Sequence, residues 1–261
     1  MLSPDRPVAP RDIPAMAADV LERVRARAPR VHCITNAVAQ NFSANMLLAV
    51  GGIPSMTIAP EEVAPFAARA DALLVNLGTF DAERRAAADL AIETATGEGR
   101  PWLLDPVFIE RSPPRTAYAR SLLARRPKAI RLNRAEFAAL AGGEADGGKL
   151  AAFAAAHDAV MGLTGETDLV ADRSRRLSIG NGHPLMAKVT AMGCAGSGLT
   201  AACLAVEPDA WIATASGLLI LGVAGEIAAE AARGPGSLAV GILDTLHTLD
   251  GATLIARARV G

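Results

Sequence analysis

Neither of the common glycine-rich nucleotide fingerprints, GxxxxGK[ST] or GxGxxG, occurs anywhere in the 261 residues. Any nucleotide this protein binds is therefore held without a P-loop or a dinucleotide-binding turn. Aromatic residues make up only 3% of the chain, which leaves little material for a base-stacking surface. No sign of charge dominates: the formal net charge is -1, so neither nucleic acid nor an anionic membrane is expected as a partner. Cysteine is scarce, with Cys33, Cys194 and Cys203 at no metal-type spacing. An odd number so placed does not make a disulfide framework, and a reducing cytoplasm is the expected compartment. The first residues, 1–11, carry prolines and mixed charge but no apolar segment of the kind a signal peptide needs. The longest apolar stretch, 211–225, includes Thr214 and Ser216 and falls short of the roughly 20 residues of a membrane span, so it reads as a buried core helix.

What is present is alternation. About half of the residues are apolar, enough for a sizeable core, and no linker interrupts the chain. A single domain over 1–261 is expected, with 1–12 as a loosely ordered extension. Short β-type runs at 31–35, 53–57, 72–76, 102–104, 129–131 and 160–163 alternate with helical patterns at 38–50, from 60, 81–96, 116–125 and 134–140. The run at 72–76, ALLVN, is apolar almost throughout, as in a strand covered on both faces. Pro60 with Glu61 and Glu62 opens one helix, Asp81 caps another, and Gly142-Gly143 closes a third. Segments 169–171 and 177–179 predict a hairpin, and helices follow over 194–206, 208–232 and 237–257, with a break at Gly234-Pro235-Gly236. Repeated strand–helix units imply a mostly parallel sheet with helices on both faces. A TIM barrel is the competing arrangement, but the hairpin and the closing helices do not continue an eightfold cycle. The expected fold is thus α/β, an open three-layer α/β/α sandwich with a C-terminal helical run. Ligands in such sheets bind beyond the carboxyl ends of the strands, where Asn36, Asn76, Asp105, Asn133 with Glu136, and Thr164 fall.

The most informative stretch is Lys188-Val-Thr-Ala-Met-Gly-Cys-Ala-Gly-Ser197. A small-residue turn entering a helix aims backbone N–H groups at one point, where the helix dipole also favours negative charge. Ala191, Met192 and Gly193 are the candidates for such an anion-holding turn, and Cys194 falls in the first helical turn. A helix N-terminus lowers a thiol's pKa, which would let Cys194 accept a proton from a substrate hydroxyl. The plainer alternative is a tight turn followed by a small core cysteine.

The sequence resembles the hydroxyethylthiazole kinases of the ribokinase-like superfamily along nearly its whole length. The matching segments occur in the family's order: VHCITNAVAQNFSANMLLAVGGIPSM (31–56), APEEV (59–63), ADALLVNLGT (70–79), PWLLDPV (101–107), AIRLNRAEF (129–137), LTGETDLV (163–170), NGHPLMAKVTAMGCAGS (181–197), GPGSL (234–238) and ILDTLHTL (242–249). The resemblance implies ATP-dependent phosphorylation of the hydroxyethyl group of 4-methyl-5-(2-hydroxyethyl)thiazole in thiamine synthesis or salvage. It also implies Mg²⁺ and a homotrimer whose substrate sites lie between subunits.

Residue by residue, Asn36, Val38, Met56 and Ala191 match the family's substrate-pocket positions, and Asp105 and Glu136 match the acids that organise Mg²⁺, partly through water. Arg131 and Thr164 match ATP contacts, and Cys194 the point of phosphoryl transfer. Two acids suit Mg²⁺, which takes one or two carboxylates plus waters and phosphate oxygens. Taken singly, Met56 also reads as core filler, Asp105 as a turn residue before Pro106, and Glu136 as part of a solvated helix face. His32 and His183 read as polar packing, and His157 and His247 as structural or exposed.

The sequence departs from the family's common pattern at three places. Thr190-Ala191-Met192-Gly193-Cys194 stands where Thr-Gly-x-Gly-Cys is usual, 108–114 is bulky and charged where glycines are usual, and Leu132 precedes Asn133 in place of glycine. A positive φ at 191 would cost alanine about 1 kcal/mol. These changes motivate two alternatives: a kinase for another small alcohol, and a non-catalytic homologue that binds nucleotide or a thiazole-like ligand.

Overall fold

A computed structural model of the protein describes residues 8–261. The part of the expected N-terminal extension in 1–7 lies outside the described residues, and Pro10–Asp12 forms a single 3-10 turn. Among the described residues the helices are α1 (Ile13–Arg27), α2 (Gln40–Ala49), α3 (Pro60–Arg69), α4 (Ala82–Gly97), α5 (Pro113–Leu123), α6 (Arg134–Ala141), α7 (Gly147–His157), α8 (Met192–Val206), α9 (Ala210–Ala231), α10 (Pro235–Thr248) and α11 (Gly251–Arg257). The strands are β1 (Arg30–Ile34), β2 (Ile53–Ser55), β3 (Ala72–Asn76), β4 (Trp102–Asp105), β5 (Ala129–Asn133), β6 (Val160–Thr164), β7 (Asp168–Ala171) and β8 (Arg176–Ile179).

All eight strands form one sheet in the order β2-β1-β3-β4-β5-β6-β7-β8. The pairs from β2 through β6 are parallel, and β7 and β8 add the expected antiparallel hairpin at one edge. Alternate strand residues feed two separate cores. Val31, Cys33, Leu74, Leu103 and Ala129 face the layer of α1, α2 and α8–α11, while Ile34, Leu73, Val75, Leu104 and Ile130 face α3–α7. This period-two split is why the strands read as nearly unbroken apolar runs.

The local chemistry of each element follows from its ends. Asp81 caps α4 by accepting the Arg84 N–H at 2.7 Å, and Gly142 closes α6 at φ 78°. α9 is longer than the apolar run 211–225. Its 22 residues are long and apolar enough to cross a membrane by length and composition, but its apolar stretch is mostly buried within the fold. Its packing on α8 depends on Gly217, where a Cβ would come within 2.8 Å of the Thr200 Cα.

Three expectations need correction. The expected helix 237–257 is two helices: α10 stops at Thr248, and Asp250 caps α11 by accepting the Thr253 N–H at 2.7 Å. α5 starts earlier than expected, because Pro113 and Pro114 occupy its first turn, where a missing N–H is harmless. α1 and α7 are additional elements with no counterpart in the expected strand–helix pattern.

Candidate active site

The carboxyl ends of the parallel strands gather the polar residues. Asn76 and Asp105, the last residues of β3 and β4, are register partners, as are Asn133 and Thr164 at the ends of β5 and β6. Asn36 follows β1. Parallel register places these side chains in a row along one edge of the sheet.

One hydrogen-bonded chain runs through the cluster. Asn36 donates from Nδ2 to Asn76 Oδ1 at 3.0 Å, and Asn76 donates from Nδ2 to Asp105 Oδ2 at 2.7 Å. Ser197 Oγ donates to the same Asp105 oxygen at 2.8 Å. Asn36 is itself fixed by accepting the Ala39 N–H at Oδ1, 3.0 Å away. Gly78 is required beside it, since a Cβ there would lie 2.7 Å from Asn36 Nδ2. Asn36, Asn76, Asp105 and Ser197 are all buried, so each polar atom's partner matters.

α8 points its N-terminus at this chain. Ala191 is the residue before the helix, with φ 66° and ψ 5°. The condition considered for 191 thus holds: the φ is positive, in an alanine held in a conformation glycine adopts more readily. Met192 and Gly193 follow in the first turn. Asn36 Nδ2 lies 3.3 Å from Cys194 Sγ, which joins the thiol to the asparagine–aspartate chain.

The expected low thiol pKa is not found. Burial, followed by the negative charge of Asp105, pushes Cys194 up to about 11, against the opposing hydrogen bonds from Asn76 and Asn36 and the charge of Arg131. Desolvation outweighs the helix N-terminus here, and the group is a neutral thiol at physiological pH.

Arg131 lies on the β5 face that meets α8 and is 8% exposed. It donates from Nη1 to the Gly193 carbonyl at 2.8 Å, while its Nε has no hydrogen-bond partner within the protein. A buried guanidinium with spare donors beside an anion-holding turn is matched to phosphate.

Glu136 is buried, not on a solvated helix face. It forms a capping box with Asn133: Asn133 Oδ1 accepts the Glu136 N–H at 2.9 Å, and Glu136 Oε2 accepts the Asn133 N–H at 2.8 Å. Its Oε1 accepts the Phe108 N–H at 3.0 Å, tying the 108–114 segment to α6. Burial and then the charge of Asp105 raise Glu136 to about 7, and burial also raises Asp105. Two carboxyls that resist ionisation together invite a cation. Both hydrogen bonds to Asp105 end on Oδ2, so Oδ1 is the oxygen open to a ligand. Among the described residues there is no cluster of three or more possible metal ligands. The pair thus fits Mg²⁺ completed by water and phosphate, and not an all-protein metal cage.

Next to the turn opens a cleft of about 820 Å³ lined by Arg131, Asn133, Thr164, Asp168, Gly182 and Met192, among others. Arg131 and Thr164, the two expected ATP contacts, thus share one cavity of a size suited to a nucleotide. Val38 and Met56 stand apart from it. Val38 is 70% exposed, and Met56 is partly buried against the α8-side core.

Sequence reasoning missed Ser197 and Asp168. Ser197 lies one turn beyond Cys194 within the GCAGS stretch, a spacing that puts it on the same helix face. Asp168 lines the cleft and accepts the Gly165 N–H at 2.9 Å. Only its place just after the Thr164-Gly165 strand end signalled it.

A family model described as the hydroxyethylthiazole kinase family matches residues 21–252. A probable hydroxyethylthiazole kinase from Agrobacterium fabrum is 46% identical over 259 residues, covering 99% of this chain and 98% of that protein. The structure of a hydroxyethylthiazole kinase from Pyrococcus horikoshii superposes with a TM-score of 0.89 at 36% identity, over 94% of this chain and 98% of the other. A ribokinase-like superfamily protein from Enterococcus faecalis shares the fold alone, with a TM-score of 0.69 at 13% identity over 90% of this chain and 95% of the other.

Proposed function

Because the chain belongs to the hydroxyethylthiazole kinase family, we propose that the strand-end cluster is its phosphoryl-transfer site. The reaction moves the terminal phosphoryl group of ATP to the hydroxyl of 4-methyl-5-(2-hydroxyethyl)thiazole, as in thiamine synthesis or salvage. The observation that carries the assignment is the meeting of three features: the Asn36–Asn76–Asp105–Ser197 chain, the N-terminus of α8 and the cleft containing Arg131.

In this reading ATP lies in the 820 Å³ cleft, with Thr164 beside it and Arg131 over its phosphates. Asp105 and Glu136 would hold Mg²⁺, the former through Oδ1 and the latter through water, since both Glu136 oxygens already cap backbone N–H groups. Bound there, Mg²⁺ supplies charge neutralisation for the transferring phosphate. The backbone N–H groups of Ala191, Gly193 and Cys194 would face the developing negative charge, while the Met192 N–H, which donates to the Val189 carbonyl at 3.3 Å, shapes the turn. Asn36 orients the hydroxyl beside Cys194, whose raised pKa makes it a packing and hydrogen-bonding neighbour and not a strong base. Most of the rate then comes from alignment and electrostatics.

Val38, Met56 and Ala191 belong to the thiazole pocket. The high exposure of Val38 supports a pocket completed by a second subunit, and the family resemblance makes that assembly a homotrimer with sites between subunits. A single kinase domain spanning 1–261 and a cytoplasmic location complete the proposal. Challenging the protein with ATP, Mg²⁺ and a set of small alcohols tests it. Phosphorylated hydroxyethylthiazole is the expected product by mass; turnover on another alcohol alone would overturn the substrate assignment.

A further inference from the structure

One wall of the nucleotide cleft is built from Gly180, Asn181 and Gly182, the residues that leave edge strand β8. These residues have no helix or strand of their own to hold them, and two are glycines, the least conformationally restrained residue type. Their position is fixed instead by the last residues of the chain.

Segment 257–261 lies along β8 as a clasp. Ser178 and Gly261 exchange backbone hydrogen bonds, the Ser178 N–H donating at 2.8 Å and the Gly261 N–H at 3.0 Å. Val260 bridges Ile179 in antiparallel sense. The Gly180 N–H donates to the Arg259 carbonyl at 2.8 Å.

The side chains complete the fastening. Asn181, buried in the wall, accepts the Arg259 N–H at Oδ1, 2.6 Å away, and donates from Nδ2 to the Arg257 carbonyl and to Glu226 Oε2, each at 2.9 Å. Glu226, on α9, accepts the Gly182 N–H at Oε1, 2.8 Å away. The Arg259 guanidinium donates to both Glu226 oxygens and to the Gly180 carbonyl. Every residue of the wall is thus bonded to Glu226, to segment 257–259, or to both. Neither Arg259 nor Glu226 lines the cleft.

We propose that Arg259 and Glu226 are positioning residues for the nucleotide, acting through the Gly180–Asn181–Gly182 wall of the cleft. This rests on the assignment of that cleft to ATP. A wall held from behind presents its backbone groups in one arrangement before the nucleotide arrives, so less ordering is left for binding to impose. Loss of the clasp then weakens ATP binding while leaving the alcohol pocket and the transfer geometry at α8 in place.

The test is steady-state kinetics of the full chain with separate titrations of ATP and hydroxyethylthiazole. Arg259 has an exposed side chain, so Arg259→Ala is a mild change to the fold, and Glu226→Gln keeps the acceptor for Gly182 while removing the charge. Both variants are expected to raise KM for ATP, Arg259→Ala by about 3- to 25-fold, with kcat and KM for the alcohol close to wild type. Ala187→Trp, which places a large ring in the same cleft, separates the two readings. If it raises KM for ATP and neither Arg259→Ala nor Glu226→Gln does, the clasp is refuted and the cleft assignment stands. If all three leave KM for ATP unchanged, the cleft assignment falls and the proposal with it. A fall in kcat with KM for ATP unchanged in the Arg259 and Glu226 variants also overturns it.

Discussion

At the scale of single residues, the site is governed by burial. Cys194 looked from its sequence position like a thiol activated by a helix N-terminus, yet the same packing that puts it beside Asn36 leaves it half-buried and near the charge of Asp105. A thiol raised to about 11 is protonated at neutral pH, so removing it should cost less than removal of a general base, which is typically worth about 100- to 10,000-fold. Cys194→Ala is expected to lower kcat by less than about 100-fold, measured at saturating ATP and alcohol. Ala191 makes a second residue-scale prediction. At φ 66° its Cβ is crowded, and Ala191→Gly should stabilise the fold by about 1 kcal/mol, read as a rise in Tm of about 2–4 °C. The positive φ at 191 was legible from the resemblance, because glycine is the family's usual residue there. The thiol's pKa was not legible, because desolvation depends on neighbours from β1, β3 and β4 that only the fold assembles.

At the scale of elements, strand ends were the readable part. β3 occupies the expected 72–76, and Asp81 caps α4 as its residue type suggests. Both carry strong local signals: an unbroken apolar run and a side-chain acceptor before a helical pattern. α1 and α7 were not legible. α1 has no side-chain N-cap bond, and α7 opens on two glycines after Asp146. The division between α10 and α11 depends on Asp250, one acid in a sequence that otherwise continues a helical pattern. The β1–β2 pair gives a pH prediction. His32 is buried on β1 with Nδ1 2.8 Å from Ser55 Oγ of β2, and burial, against the opposing effect of a hydrogen bond to the Thr57 backbone, lowers it to about 4. The unfolded imidazole titrates near 6.5, so the unfolded chain binds the extra proton between pH 6.5 and 4. Stability tied to neutral His32 is full above pH 6.5 and is lost as pH falls through that window. Denaturant unfolding at pH 7 and pH 5 should show a smaller loss in His32→Gln than in wild type, by on the order of 2 kcal/mol.

At the scale of the whole molecule, the sheet separates two jobs along one edge. The β5–β8 end with α9 lines the cleft proposed for the nucleotide, and the β1–β4 end with α8 holds the hydrogen-bonded polar chain proposed for the acceptor and Mg²⁺. Asp105 and Arg131, on adjacent strands, sit where the halves meet. The fold class was readable because alternating strands and helices admit few arrangements. The clasp of 257–261 on β8 was not, since no local pattern announces a bridge to a strand some 80 residues earlier in the chain. Val38, Leu48 and Val240 leave apolar surface exposed around α2 and α10. If that surface is shared between subunits, Val38→Glu should shift the assembly toward smaller species in light scattering and raise KM for the alcohol with KM for ATP unchanged.

The most direct test of the account concerns Asp105, where the asparagine chain, Ser197, the α8 turn and the proposed Mg²⁺ site converge. Asp105→Asn is nearly isosteric at a buried position whose carboxyl already resists ionisation, so the fold should persist by Tm. ADP release at saturating ATP, Mg²⁺ and hydroxyethylthiazole should be alcohol-dependent in the wild type and at least about 100-fold slower in the variant. Equal rates in the two proteins, or ADP release from the wild type that ignores the alcohol, would contradict the assignment of this cluster to phosphoryl transfer.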